Sequence, residues 1–251
     1  MLDTMAQGRL VVGLLRGTTN EYLTYDLNPT EARERTDEGM ELILKAWTEP
    51  QPFAWQGRHF KFRTVSIWPR PLQQPYPTTY ALGTSKESCE FAARHRLGCG
   101  LSYGTWESSA RAGRYYREAC ARQGWEPSPD QIIYRANMLL ADTDTEASER
   151  FEKQSKQAPF PLRAGVRDAL GSLDSRNVAG VARPAIVNAA LPTTFIGGPD
   201  TIIEQIQRCR DEIGAGVIDL SLTPPASRDL GLLMRSLELF STKVLPRIRG
   251  I

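Results

Sequence analysis

The sequence predicts an α/β fold built on a parallel sheet, and three observations carry this. Short apolar runs recur at 10–15, 78–82, 98–103, 131–141 and 217–222. Stretches with a single apolar stripe at helical spacing alternate with them. The runs are largely unbroken rather than alternating, which suits strands covered on both faces.

The first run, LVVGLL at 10–15, is closed by Arg16-Gly17 and reads as a strand buried on both faces. Asn28, Pro29 and Glu31 then predict a helix start, with Asn28 as N-cap, Pro29 in the first turn and Glu31 completing a capping box. Met40, Ile43, Leu44 and Trp47 follow at the i, i+3, i+4, i+7 spacing of a helix lying on a sheet. The stretch 53–62 reads as a hairpin turning at Gly57, and Pro69, Pro71, Pro75 and Pro77 make an extended connector.

Thr78–Leu82 is the next strand, and Ser85 is placed to cap a helix that ends near His95. A strand at 98–103, a helix at 107–123, a long strand at 131–141 and an acidic-fronted helix at 145–156 continue the alternation. From 158 to 195 no periodicity is sustained, which reads as a mobile lid or a disordered segment. Ile202, Ile206, Cys209 and Ile213 then share one helical face, stopped by Gly214-Ala215-Gly216. After the strand at 217–222, Leu230, Leu233, Met234, Leu237, Phe240 and Val244 predict a last amphipathic helix. Periodicity leaves open whether the five strands form a doubly wound sheet or a barrel.

The 251 residues suit one domain or two small ones. Lys and Arg total 31 against 29 acids, a net charge of +2 that gives no basis for nucleic-acid binding. Cys89, Cys99, Cys120 and Cys209 form no CxxC pair and no cluster with the two histidines, so neither a metal site nor a disulfide framework is expected. A reducing, cytoplasmic setting fits that cysteine usage. The opening MLDTMAQGRL has no secretory pattern, and no apolar run approaches the ~18 residues of a membrane span.

Several segments, in their order, resemble the bacterial-luciferase-like flavin-dependent monooxygenases. They are GRLVVGLLRG at 8–17 preceded by Leu2-Asp3, the helix carrying Arg35 and Glu38, Trp47, and Gly57-Arg58-His59-Phe60. Pro69-Arg70-Pro71 with Pro75, Thr84-Ser85-Lys86-Glu87-Ser88 leading into Ala92-Ala93, Gly197-Gly198-Pro199-Asp200-Thr201 and the run at 216–222 complete the set. The resemblance implies a TIM-type (β/α)8 barrel, with residues 1–251 forming a single, incomplete barrel domain of roughly its fourth to eighth strands. In the family three βα units, on the order of 100 residues, precede this point. A partial barrel has two unpaired edges, which favour association, and a homo-oligomer is expected.

A phosphate needs convergent N–H donors, hydroxyls and positive potential, and a strand-to-helix turn supplies them. Gly83-Thr84-Ser85-Lys86-Glu87-Ser88 sits at such a turn, with Ser85 and Ser88 at cap and third helical positions. The same residues also suit an ordinary N-cap with no ligand. The resemblance makes Gly83, Thr84, Ser85 and Ser88 the flavin phosphate site, assigns Arg16 to assist it, and brings Tyr103 near the flavin ring. Arg33 or Arg35 is a further phosphate candidate. Leu15 and Thr18 or Thr19 stand where the luciferase active-site chain has a cysteine and a tyrosine, which argues against light emission.

No general acid or base is assigned, because His59 and His95 read as surface or packing residues. The implied activity is oxygenation of a small organic substrate by O2, using reduced FMN delivered by a separate flavin reductase. A coenzyme F420-dependent oxidoreductase of the same barrel family and a non-catalytic flavin-binding remnant are the alternatives.

Overall fold

The computed structural model describes residues 1–17, 21–22, 25–101, 105–157, 194–222 and 229–249. Its helices are α1 (Leu2–Met5), α2 (Ala32–Thr48), α3 (Lys86–Arg94), α4 (Trp106–Arg122), α5 (Asp144–Gln157), α6 (Pro199–Arg208), α7 (Leu230–Leu239) and α8 (Leu245–Ile248). Its strands are β1 (Val11–Leu14), β2 (Phe53–Gln56), β3 (Lys61–Val65), β4 (Thr78–Leu82), β5 (Gly98–Leu101), β6 (Ile132–Leu140), β7 (Thr194–Gly197) and β8 (Val217–Ser221).

Six strands make one parallel sheet curled into a half-barrel. The order is β1-β4-β5-β6, and the nine-residue β6 is long enough to pair twice along its far edge. Residues 133–137 of β6 run beside β8, and residues 137–140 run beside β7. The sixth strand, β7, was not expected, and its Thr194 and Phe195 fall at the end of the segment read as irregular. Four residues are too few to display a period, so only pairing with the protruding tip of β6 reveals the strand. The rest of the expected lid, 158–193, lies outside the described residues.

Helices α3 and α4 cover the outside of the sheet with small residues, including Cys89, Ala92, Ala93, Ala112, Ala119 and Cys120, all buried. Their short side chains let helix and strand approach closely, and Tyr116 fills the remaining depth while donating its hydroxyl to the Leu97 carbonyl at 2.7 Å. Burying large residues such as Tyr116, Tyr134 and Phe195 contributes about 1.5–3 kcal/mol each.

The two ends of the sheet depart from expectation. Strand β1 alternates between exposed and half-buried residues, with Val11 58% exposed, instead of being buried on both faces. Among the described residues β4 is the one strand beside it. At the other end the stripe expected for the last helix is divided: Leu230, Met234 and Leu237 are exposed, Phe240 packs partly against the core and Val244 is buried, with Ser236 and Leu239 turned inward as well. Between β8 and this helix an apolar groove of about 450 Å³ opens, lined by Ile218, Leu220, Leu222, Leu237, Phe240 and Ile248.

Helix α2 starts at Ala32, and neither half of the expected capping box forms. Asn28 Oδ1 instead accepts from the amide and hydroxyl of Thr30, at 3.1 and 2.8 Å, closing a local turn ahead of the helix. A short polar side chain has that option wherever the chain bends within its reach.

The hairpin of β2 and β3 is tied to α2 by Glu38, whose carboxylate accepts from the Trp55 indole at 3.0 Å and from the His59 and Phe60 amides at 2.9 and 3.0 Å. Arg70 closes the other end of α2, donating to the Ala46 and Trp47 carbonyls at 3.0 and 2.7 Å. Asp3 accepts from the Leu72 and Gln73 amides and the Gln73 side chain, and Gln73 in turn bonds Leu10 and Thr78. That chain of bonds sets β1 in register beside β4, with Val11 opposite Thr78.

Candidate functional site

The C-terminal ends of β1 and β4 lie side by side, and each leads toward a helix on the outer face. Arg16 follows β1, and Tyr22 donates its hydroxyl to the Arg16 and Gly17 carbonyls at 3.2 and 3.3 Å, fixing the backbone there. After β4, the Gly83 amide donates to the Gly100 carbonyl at 2.8 Å, so the turn leaves directly from the sheet. Gly83 adopts φ +150°, and a Cβ there would stand 2.8 Å from Ser88 Oγ. Glycine is the residue that meets both conditions.

Ser85 caps α3 as expected, its Oγ accepting from the Ser88 amide at 3.3 Å. The Ser85 and Ser88 hydroxyls are 3.1 Å apart. Arg33 Nη2 donates to both, at 3.1 Å each, and Arg33 Nη1 stands 3.4 Å from Asp37. Arg16, Arg33, Asp37, Leu82 and Ser88 line a cleft of about 10 Å³, room for roughly one oxygen-sized group.

This geometry separates Arg33 from Arg35. Residues two apart on a helix point about 200° away from each other. Arg33 faces the serines, while the Arg35 guanidinium lies over the Phe60 ring, 5.0 Å from its centroid. The i, i+4 pair with Asp37 was the signal in the sequence that could have favoured Arg33.

The site holds a guanidinium whose partners on one side are two neutral hydroxyls, at a helix N-terminus. A phosphate offers such a group bonds to an opposite charge, in the bidentate geometry that a guanidinium favours, which the neutral hydroxyls cannot. Glu87 occupies part of this field. Its carboxyl is held below its usual range, first by its own backbone amide, then by the Ser85 hydroxyl and the charges of Arg33 and Arg16, against a desolvation effect. An anion entering here displaces an exposed carboxylate rather than filling bare amides.

Of the residues singled out from sequence, Arg16, Gly83, Thr84, Ser85 and Ser88 are brought to adjoining strand ends, with Thr84 half-buried in the turn. Tyr103 lies outside the described residues. His59 has a buried side chain in the hairpin, and His95 stacks on Phe91 with ring centroids 4.4 Å apart.

A second glycine-bearing turn, Gly197-Gly198-Pro199-Asp200-Thr201, opens α6 but does not resemble the first in its chemistry. Asp144 already fills it, accepting from the Gly198 amide at 2.7 Å and the Thr201 hydroxyl at 2.9 Å.

Comparison with known proteins agrees with this architecture. The sequence profile described as luciferase-like monooxygenase matches residues 1–216. The monooxygenase RslO1 from Streptomyces bottropensis superposes with a TM-score of 0.75 at 27% identity, over 98% of this chain and 71% of that one. The oxygenating constituent of 3,6-diketocamphane monooxygenase from Pseudomonas putida, solved in complex with FMN, gives 0.70 at 19% identity, over 98% and 73%. The coenzyme F420-dependent tetrahydromethanopterin reductase from Methanopyrus kandleri gives 0.63 at 17% identity, over 99% and 77%. With most of its length matched by that profile and its sheet forming part of such a barrel, the chain belongs to the luciferase-like monooxygenase family.

Proposed function

We propose that the chain binds reduced FMN and serves as the oxygenating component of a two-component monooxygenase acting on a small organic substrate. The observation that carries the reading is the convergence of Arg33 on the Ser85 and Ser88 hydroxyls at the N-terminus of α3. When bound, the reduced flavin supplies the electrons that activate O2.

The chain's own residues have narrower tasks. Ser85 and Ser88 offer their hydroxyls to a phosphate, Arg33 neutralises its charge, and Asp37 steadies the guanidinium from the far side. Arg16 adds positive potential at the neighbouring strand end. Gly83 lets the turn pass close enough for Ser88 to reach inward. A separate flavin reductase, a cytoplasmic location suited to four free cysteines, and self-association through the open sheet edges belong to the same proposal.

Combined Ser85→Ala and Ser88→Ala replacement removes two hydrogen bonds to a charged group, each about 1.5–3 kcal/mol, and is expected to weaken FMN at least about a hundredfold. Unchanged affinity in a fluorescence titration of folded protein overturns the phosphate assignment. The likeness to a coenzyme F420-dependent reductase supports a second reading, hydride transfer with that deazaflavin. Parallel anaerobic titrations with both cofactors separate the two.

A further inference from the structure

Behind the serine-bearing turn lies a pair of thiols with no part in anion binding. Cys89 is the residue after Ser88, in the first turns of α3, and Cys99 is in the middle of β5. Both are fully buried, and their sulfurs are 4.0 Å apart. On α3 the small residues Ala92 and Ala93 follow Cys89, all of them buried, and on β5 Cys99 stands on the opposite face of the strand from Gly98 and Gly100.

We propose that Cys89 and Cys99 form an oxidative modification site, closing to a disulfide under hydrogen peroxide and thereby distorting the anion cradle next to Cys89. The thiolate of one cysteine attacks a peroxide oxygen, giving a sulfenic acid and one water; the second thiol displaces the sulfenic oxygen as a second water. The two sulfurs are oxidised by two electrons in total, and the peroxide is reduced. The hydrogen bond between the two thiols favours the thiolate at Cys89 and disfavours it at Cys99, which makes Cys89 the attacking residue.

Closure brings the sulfurs from 4.0 Å to about 2.05 Å. Strand β5 is held on both sides, by β4 and by β6, so the displacement falls mainly on α3. Ser88 moves with it, and the two 3.1 Å contacts that define the cradle, Arg33 to Ser85 and Arg33 to Ser88, are disturbed together.

The test treats the folded chain with hydrogen peroxide, counts thiols, and maps peptides by mass spectrometry before and after dithiothreitol. Loss of two of the four thiols with a Cys89–Cys99 linked peptide, reversed by dithiothreitol, is expected. Cys99→Ser is expected to block the link and to leave Cys89 oxidised singly. Four intact thiols, or a link that involves Cys120 or Cys209 instead, overturns the proposal. The wild-type map alone decides connectivity, so the outcome does not depend on a variant folding. The effect on the cradle rests on the FMN reading: oxidised protein is expected to bind FMN about tenfold more weakly, as for one lost charge-assisted bond, with recovery on reduction. A linked pair with unaltered FMN affinity overturns the coupling, whereas absence of FMN binding to the reduced protein counts against the FMN reading and leaves the thiol result standing.

Discussion

Arg33 and Ser88 sit on the first turns of two different helices and meet at 3.1 Å, so one guanidinium joins the helices that follow β1 and β4. Arg33→Ala removes the charge and both serine contacts, and is expected to lower FMN affinity by about 10- to 100-fold. Arg33→Lys keeps the charge but gathers its donors on one nitrogen, where Arg33 reaches Asp37 from Nη1 and the two hydroxyls from Nη2, and is expected to fall between. Titration of both variants beside the native chain checks the order.

Gly83→Ala meets two obstacles, a backbone at φ +150° and Ser88 Oγ only 2.8 Å from the new methyl carbon. The expected cost is about 1–3 kcal/mol of stability. Ser88 is pushed from its position, so FMN affinity falls as well. A melting curve and a titration on the same sample read both effects.

Glu38 gives the protein an acid-sensitive joint. The Trp55 indole, followed by the His59 and Phe60 amides, holds its carboxyl down to about 2 from an ordinary 4.5. A depressed carboxyl stabilises the fold above its unfolded value, and that stabilisation is lost as pH falls from about 4.5 toward about 2. Glu38→Ala is therefore expected to melt lower than the native chain at neutral pH, with the difference shrinking through this window. A constant difference down to acid pH contradicts the assignment.

Asp144→Ala uncaps α6 by removing the bonds to Gly198 and Thr201. A fall in melting temperature of about 2–4 °C is expected, in line with loss of one helix cap. FMN affinity is expected to stay as it was, since this turn is already occupied by a carboxylate. A large gain in FMN binding, from freeing the donors that the carboxylate occupies, would move the anion site from α3 to α6.

Val11 lies on the open edge of β1, 58% exposed. Val11→Lys puts a charge on that edge, which natural sheets use to discourage edge-to-edge pairing. Reduced self-association in sedimentation, with the fold retained by circular dichroism, is expected.

Much of the architecture was legible because it rests on local patterns. Thr78–Leu82, Ser85 as the cap of α3, and the face formed by Ile202, Ile206, Cys209 and Ile213 depend on side chains within a few residues of one another. The serine-bearing turn was legible for the same reason. Arg33 was left level with Arg35, because rotation of a helix about its axis is settled by what it packs against.

Sequence by itself determined the alternation of strands and helices, the parallel sheet, and the turn whose hydroxyls could serve an anion. Periodicity and capping are short-range, so one chain read in order contains them. Tertiary structure alone decided that β6 serves two neighbours, that β1 and the last helix leave apolar surface uncovered, that Asp144 fills the second glycine turn, and that Arg33 completes the cradle. Those outcomes depend on contacts between residues as far apart as Arg33 and Ser88 or Asp144 and Gly198, and no local pattern encodes a distance between them.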